Sequence, residues 1–211
     1  SQAIDVDLAL SLGVRSLSSK DDLADIPEEY HSWANYPAIL FPWTAPDGRV
    51  EYQIRPDNPT DDARGRPRKY VVPRDMVPVL WAVRPVAGPA RLVIVEGTKQ
   101  SLAAASYAPA GSAIYGISGC RSWQKDGIPI PDLMVADGLD VVILLDADAA
   151  GNPDVYGAGM GLAEALTMEG AAKVTFARLP AAGKSGLDDV LATRPEDRRA
   201  AYLARILDSS K

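Results

Sequence analysis

Three features of the sequence predict an α/β fold: a central four-stranded parallel sheet flanked by helices, preceded by a smaller β-containing α+β subdomain. Downstream of residue 89, four apolar runs at 92–95, 113–117, 141–145 and 173–177 alternate with helix-prone segments. Strands covered on both faces read as continuous apolar runs, because the crossover helices of a parallel sheet bury each side. Upstream, two strand-like runs flank Ala45-Pro46-Asp47-Gly48, where Pro and Asp-Gly supply the dihedrals of a tight turn. Between these parts lies Arg84-Pro85-Val86-Ala87-Gly88-Pro89, a Pro/Gly-rich break that sets the division at 1–88 and 89–211.

In chain order, residues 17–36 are polar and partly helical. A β-hairpin pairs 38–41 with 50–54, and 56–68 forms a charged, Pro-rich loop. The second part opens on the strand Leu92-Val93-Ile94-Val95, followed by an Ala-rich helix over 99–107. Ala113–Ile117 is the next strand, with a short helix near 131–137 after it. Val141–Leu145 is the third, and 155–169 is a helix with Leu162, Ala165, Leu166 and Met168 on its apolar side. Lys173–Ala177 is the fourth strand, and 195–208 closes the chain as an amphipathic helix with Pro195 at its start.

The chain has 211 residues, 47% of them hydrophobic, which suits one large domain or two small ones. A single Cys and a single His exclude an internal disulfide framework and a Cys/His zinc site. Nucleophilic catalysis with a histidine base has only His31 to draw on, and no nucleophile motif accompanies it; His31 reads as structural and Cys120 as a free thiol. No apolar run approaches the roughly 18–20 residues of a membrane span, and no signal peptide opens the chain, so a cytoplasmic protein without membrane contact is expected. The net charge of −6 argues against a general nucleic-acid binder. Residues 55–74 run the other way: Arg55, Arg64, Arg66, Arg68, Lys69 and Arg74 outnumber Asp57, Asp61 and Asp62, a local net of +3. That strip is either a phosphate grip or a solvated loop. Trp43 and Trp81 are either base-stacking platforms or, more in keeping with their size, buried between subdomains.

In open α/β sheets ligands bind beyond the carboxyl ends of the strands. Glu96-Gly97 directly follows the first strand and Asp146-Ala147-Asp148-Ala149-Ala150-Gly151 the third, so a parallel sheet carries both to one edge. Crowded carboxylates repel and take raised pKa values unless a cation neutralises them. With only oxygen ligands at hand, Mg²⁺ or Mn²⁺ is the matching ion, and such sites hold phosphate oxygens.

Val95-Glu96-Gly97-Thr98-Lys99 followed by Asp146-x-Asp148-x-x-Gly151 resembles the Toprim domain of primases, topoisomerases and nucleases. Its flanks resemble those of primases. Ile39-Leu40-Phe41-Pro42-Trp43, Asp47-Gly48-Arg49-Val50, Arg55 and Arg68-Lys69-Tyr70 are similar to the hairpin and basic segment ahead of Toprim in bacterial replicative primases. Leu179-Pro180 with Gly183-Lys184-Ser185-Gly186-Leu187-Asp188-Asp189 resembles the lysine-and-acid motif after the last strand, in the form found in phage and plasmid proteins. Thr98-Lys99 departs from the aromatic and acidic residues usual after Glu-Gly. The resemblance spans roughly 37–192 and does not include the zinc-binding and helicase-binding domains of replicative primases.

The resemblance implies a metal-dependent nucleotidyltransferase that makes primers on single-stranded DNA from nucleoside triphosphates, in phage or plasmid replication. Glu96, Asp146 and Asp148 become the catalytic, Mg²⁺-binding acids, with proton transfer the other role for Glu96. Asp188 and Asp189 assist a second ion or cap the last helical segment. Arg55, Arg66, Arg68, Lys69, Lys99 and Lys184 become the contacts to nucleotide phosphates or template. A replicative helicase, or further domains of the same polypeptide, are the implied protein partners. The other readings are a Toprim nuclease using the same acids and a catalytically silent nucleic-acid-binding module; topoisomerase activity is disfavoured because its tyrosine-bearing domain is missing from this stretch.

Overall fold

The computed structural model describes residues 3–33, 35–62, 65–73, 75–180 and 185–211. The N-terminal part begins with a short helix, α1 (Val6–Ser11), started by the Asp5 side chain accepting from Asp7 N and Leu8 N. An antiparallel sheet follows in the order β1 (Arg15–Leu17), β2 (Ala38–Thr44) and β3 (Val50–Pro56). The expected hairpin is β2–β3, with Thr44 opposite Val50 across the Asp47-Gly48 turn. Within 17–36 the structure has the 3₁₀ turns Lys20–Leu23 and Glu28–Trp33.

The main sheet has five strands: β10 (Lys173–Ala177), β9 (Asp140–Leu144), β5 (Arg91–Glu96), β6 (Ser112–Ile117) and β4 (Trp81–Arg84), in that order. The first four are mutually parallel, as the apolar runs require. The fifth, β4, is an addition to the expected four; it pairs antiparallel with β6 at the edge. Four residues are too few for a periodic signal, and Pro85 directly after them reads as a break, yet an antiparallel edge strand on a parallel sheet is a common arrangement. A further small ribbon, β7 (Gln124–Lys125) with β8 (Ile128–Pro129), turns through Asp126-Gly127.

Alternation along the strands distributes the core to both faces. On β5, Val93 and Val95 pack towards α2 (Thr98–Tyr107) and α5 (Glu196–Asp208), with Leu102, Leu203, Ile206 and Leu207. Leu92 and Ile94 face the other way, onto the 3₁₀ turn Pro131–Ala136 and α3 (Pro153–Met168), with Leu133, Leu162 and Leu166. A third cluster of Leu17, Leu23, Ile26, Tyr30, Leu40 and Ile54 fills the N-terminal part.

The two parts meet through aromatic and ionic contacts. Trp43 of β2 and Trp81 of β4 stack with ring centroids 4.9 Å apart and planes at 23°, both buried, so burial is their role. Arg49 reaches from the hairpin to the buried Asp132 at 2.5 Å, and the other Asp132 oxygen accepts Leu80 N at 2.9 Å. His31 Nε2 lies 2.8 Å from Ile26 O, a structural bond. Arg84 sits under the C-terminal end of α2, where its guanidinium donates to the carbonyls of Ala105, Ala108, Pro109 and Ser112. A cation there complements the partial negative charge of the helix end.

Candidate functional site

Register places the acids side by side. Across β5 and β9, Val95 is opposite Leu144, so Glu96 and Asp146 leave adjacent strands at the same carboxyl edge. Asp146 N donates to Glu96 Oε2 at 3.3 Å, and Cys120 N, arriving from the loop after β6, donates to Glu96 Oε1 at 3.0 Å. Asp146 is followed by the 3₁₀ turn Ala147–Ala150, whose Ala147 N donates to Ser185 O at 3.1 Å. This turn carries Asp148, close enough to add to the negative field on both Glu96 and Asp146.

That field shows in the titration of the pair. Burial pushes the Glu96 carboxyl above its ordinary range, with Asp148 repulsion adding and the two backbone N–H groups opposing. Asp146 is pushed up to about 7, by burial first and then by Glu96, with Gln100 opposing and Asp148 and Asp188 adding. Burial likewise raises the Cys120 thiol, with Glu96 next, which leaves it a poor nucleophile.

Gly97 makes the approach possible. Its backbone stands at φ +91° and ψ +147°, a region essentially confined to glycine, and a Cβ there would lie 2.5 Å from Gln100 Oε1. Gln100, in the first turn of α2, donates its Nε2 to Asp146 Oδ1 at 3.2 Å. Thr98 Oγ1 donates to the buried Gln53 Oε1 of β3 at 2.8 Å and ties the start of α2 to the N-terminal sheet. Neither Gln100 nor Gln53 belongs to a motif. Only the helical spacing of Gln100 from Gly97 carried a signal for its position.

The remaining candidates fall in different places. Lys99 pairs with the buried Asp188 at 3.0 Å, so its charge is already answered by a carboxylate. Asp188 is the second residue of α4 (Leu187–Ala192), whereas Asp189 supplies the cap, its Oδ2 accepting Gly186 N at 3.3 Å. Arg55 lies against the Tyr70 ring at 5.5 Å. Arg66 is bound to Asp62 by its backbone and its guanidinium, and Asp62 N donates to Arg66 O at 2.7 Å. Arg68 and Lys69 are exposed. Lys184, Arg64 and Arg74 lie outside the described residues.

Among the described residues, no three of His, Cys, Asp and Glu form a ready-made enclosure for an ion. The donor chemistry nonetheless fits Mg²⁺, which keeps several waters and is commonly held by one or two carboxylates together with substrate phosphates. Desolvated, mutually repelling oxygen acids are the groups such a cation relieves.

Together these features define an α/β domain with a strained carboxylate pair at the carboxyl edge of its sheet, locked to an antiparallel N-terminal sheet. The chain belongs to the family described as Domain of unknown function (DUF3854), whose model matches residues 86–198. Its fold is similar to that of a primase-domain chain in the structure of bacteriophage T7 lagging-strand DNA polymerase interacting with primase domains of two gp4 subunits, bound to an RNA/DNA hybrid and dTTP. That superposition has a TM-score of 0.56 at 12% identity and covers 98% of this chain and 88% of the other, a likeness of fold. No curated protein matches the chain significantly. No helix among the described residues is long and apolar enough to cross a membrane.

Proposed function

We propose that this domain is a Toprim-type, primase-like nucleotidyltransferase that makes primers on single-stranded DNA from nucleoside triphosphates. The observation that carries the reading is the contact of Glu96 with Asp146, beside Asp148, at the edge where parallel α/β sheets bind ligands. In the reaction the 3′-hydroxyl oxygen of the growing strand bonds to the α-phosphorus of the incoming triphosphate as its proton passes to solvent or to Glu96, the bond from that phosphorus to the bridging oxygen breaks, and pyrophosphate leaves. Asp146 and Asp148 would hold Mg²⁺ or Mn²⁺, which would neutralise them and offset the charge of the phosphate oxygens. Glu96, held by two backbone N–H groups, stays fixed beside them as a third acid or as a proton carrier. Gln100 orients the Asp146 carboxyl. Arg68 and Lys69, exposed beside the hairpin, are the template-facing cations of the basic strip.

The neighbouring fold supports the same reading, since that complex contains an RNA/DNA hybrid and dTTP. The test is incubation of the protein with single-stranded DNA, labelled nucleoside triphosphates and Mg²⁺ or Mn²⁺. Labelled products longer than the input nucleotides are the expected result. Shortened DNA would make this a nuclease, and retention of DNA without either change would make it a binding module.

A further inference from the structure

The last helix carries a cluster of cations that the site above does not use. Arg198, Tyr202 and Arg205 follow one another at i, i+4 and i+7 on α5, which places them on one exposed face. Arg194, just before the helix, folds onto the same place: its carbon Cζ lies 4.5 Å from the Tyr202 ring centroid and its NH2 donates to Tyr202 Oη at 3.2 Å. Arg205 approaches the same ring at 5.5 Å. With Pro195 these residues line a surface depression of about 360 Å³. Two guanidinium groups on one tyrosine, with a third beside them, concentrate positive charge in a chain whose net charge is −6.

Helix stability does not account for the whole cluster. Arg205, in the last turn of α5, and Arg194, directly after the end of α4, complement helix C-termini, but Arg198 stands in the first turn of α5, where the backbone already presents positive partial charge and cations are unfavourable. Among the described residues, no carboxylate comes within 4.0 Å of Arg194, Arg198 or Arg205, although Arg15, Arg49, Arg66 and Arg91 all have one. The acids in the first turn, Glu196 and Asp197, are turned by about 160° and 100° from Arg198 around the helix. Arg199, by contrast, is structural: it donates to Leu191 O, Arg194 O and Tyr107 Oη. Stacking on Tyr202 holds Arg194 and Arg205 in place and leaves in-plane N–H donors for an anion.

We propose that Arg194, Arg198 and Arg205 around Tyr202 form a second binding site, one that grips the phosphodiester backbone of single-stranded DNA. The choice of partner rests on the primer-synthesis reading; the presence of an anion site rests on the cluster alone. Spaced donors along about 10 Å of helix suit successive phosphates of one strand better than one free phosphate ion.

The experiment measures fluorescence anisotropy of labelled oligo-dT at several salt concentrations. The wild type is compared with R194A/R198A/R205A, with R194K/R198K/R205K and with Asp146→Asn, and circular dichroism confirms that each is folded. Loss of three phosphate contacts should lower the slope of log K against log salt by about two, while the lysine variant keeps most of it. Asp146→Asn should keep the full slope and lose nucleotide incorporation, which separates failure of this site from failure of the proposed chemistry. An alanine variant with the wild-type slope overturns the proposal. So does a wild type that does not bind oligo-dT, or an alanine variant that loses only binding to phosphatidylserine vesicles. Inorganic phosphate at millimolar concentration should compete weakly; complete competition would mark a free-phosphate site and overturn the assignment to a strand.

Discussion

Replacing Asp146 by Asn should stabilise the metal-free protein at alkaline pH. The substitution keeps the shape and leaves an Oδ1 acceptor for Gln100 Nε2, now at 3.2 Å. It removes a charge whose folded-state pKa stands at about 7 against an ordinary 3.8. Because the folded value is raised, the folded chain holds a proton that the unfolded chain has already released as pH climbs through this window. Stability from this group is therefore present at acid pH and lost as pH rises towards 7 and above. Converted at 1.36 kcal/mol per unit, the displacement is worth ~4 kcal/mol, and the partial exposure of the side chain screens it to roughly 2 kcal/mol. In EDTA at pH 8 the variant should melt about 4–8 °C above the wild type, and the gap should shrink markedly by pH 4.5. Adding Mg²⁺ at a hundredfold its dissociation constant should raise the wild type by ~2.7 kcal/mol and the variant by much less. Identical pH profiles for the two proteins, or a variant that is less stable at pH 8, would refute the claim that these carboxylates are in conflict.

Other substitutions test the supports of the site. Gly97→Ala should destabilise by about 1–3 kcal/mol, from the disallowed backbone and the displaced Gln100, and should lower incorporation more than Gln100→Ala does; chemical denaturation and the incorporation assay read both. Trp43→Ala should cost ~3–5 kcal/mol in denaturation experiments and change the fluorescence of its stacked neighbour Trp81. Arg49→Met leaves Asp132 buried without its cation and should cost about 1–3 kcal/mol, most of it recovered in the double variant with Asp132→Asn.

The parallel strands and both acid motifs were legible because each carries a local signal. A doubly covered strand is a continuous apolar run, and a carboxylate at its end is fixed in space by the strand itself. Thus Glu96 and Asp146, 50 residues apart in sequence, were expected at one edge and are found in contact. The β4 strand was illegible because it is short, precedes Pro85 and takes its register from β6 rather than from its own pattern. Partners set by tertiary packing were equally hidden. Nothing near Lys99 announces Asp188, and nothing near Arg49 announces Asp132, since each pair is joined only when distant elements pack. The basic strip shows the converse: its composition was plain, but Arg66 is engaged with Asp62 four residues away.

The measurement that decides whether these acids hold a cation is Mn²⁺ binding followed by electron paramagnetic resonance, with the wild type compared with Asp146→Asn and Asp148→Asn. Mn²⁺ should bind the wild type, be competed by Mg²⁺ and be tightened by a nucleoside triphosphate, with much weaker binding in both folded variants. Equal Mn²⁺ binding by all three proteins, or none by the wild type with nucleotide present, would contradict a metal-binding role for these acids.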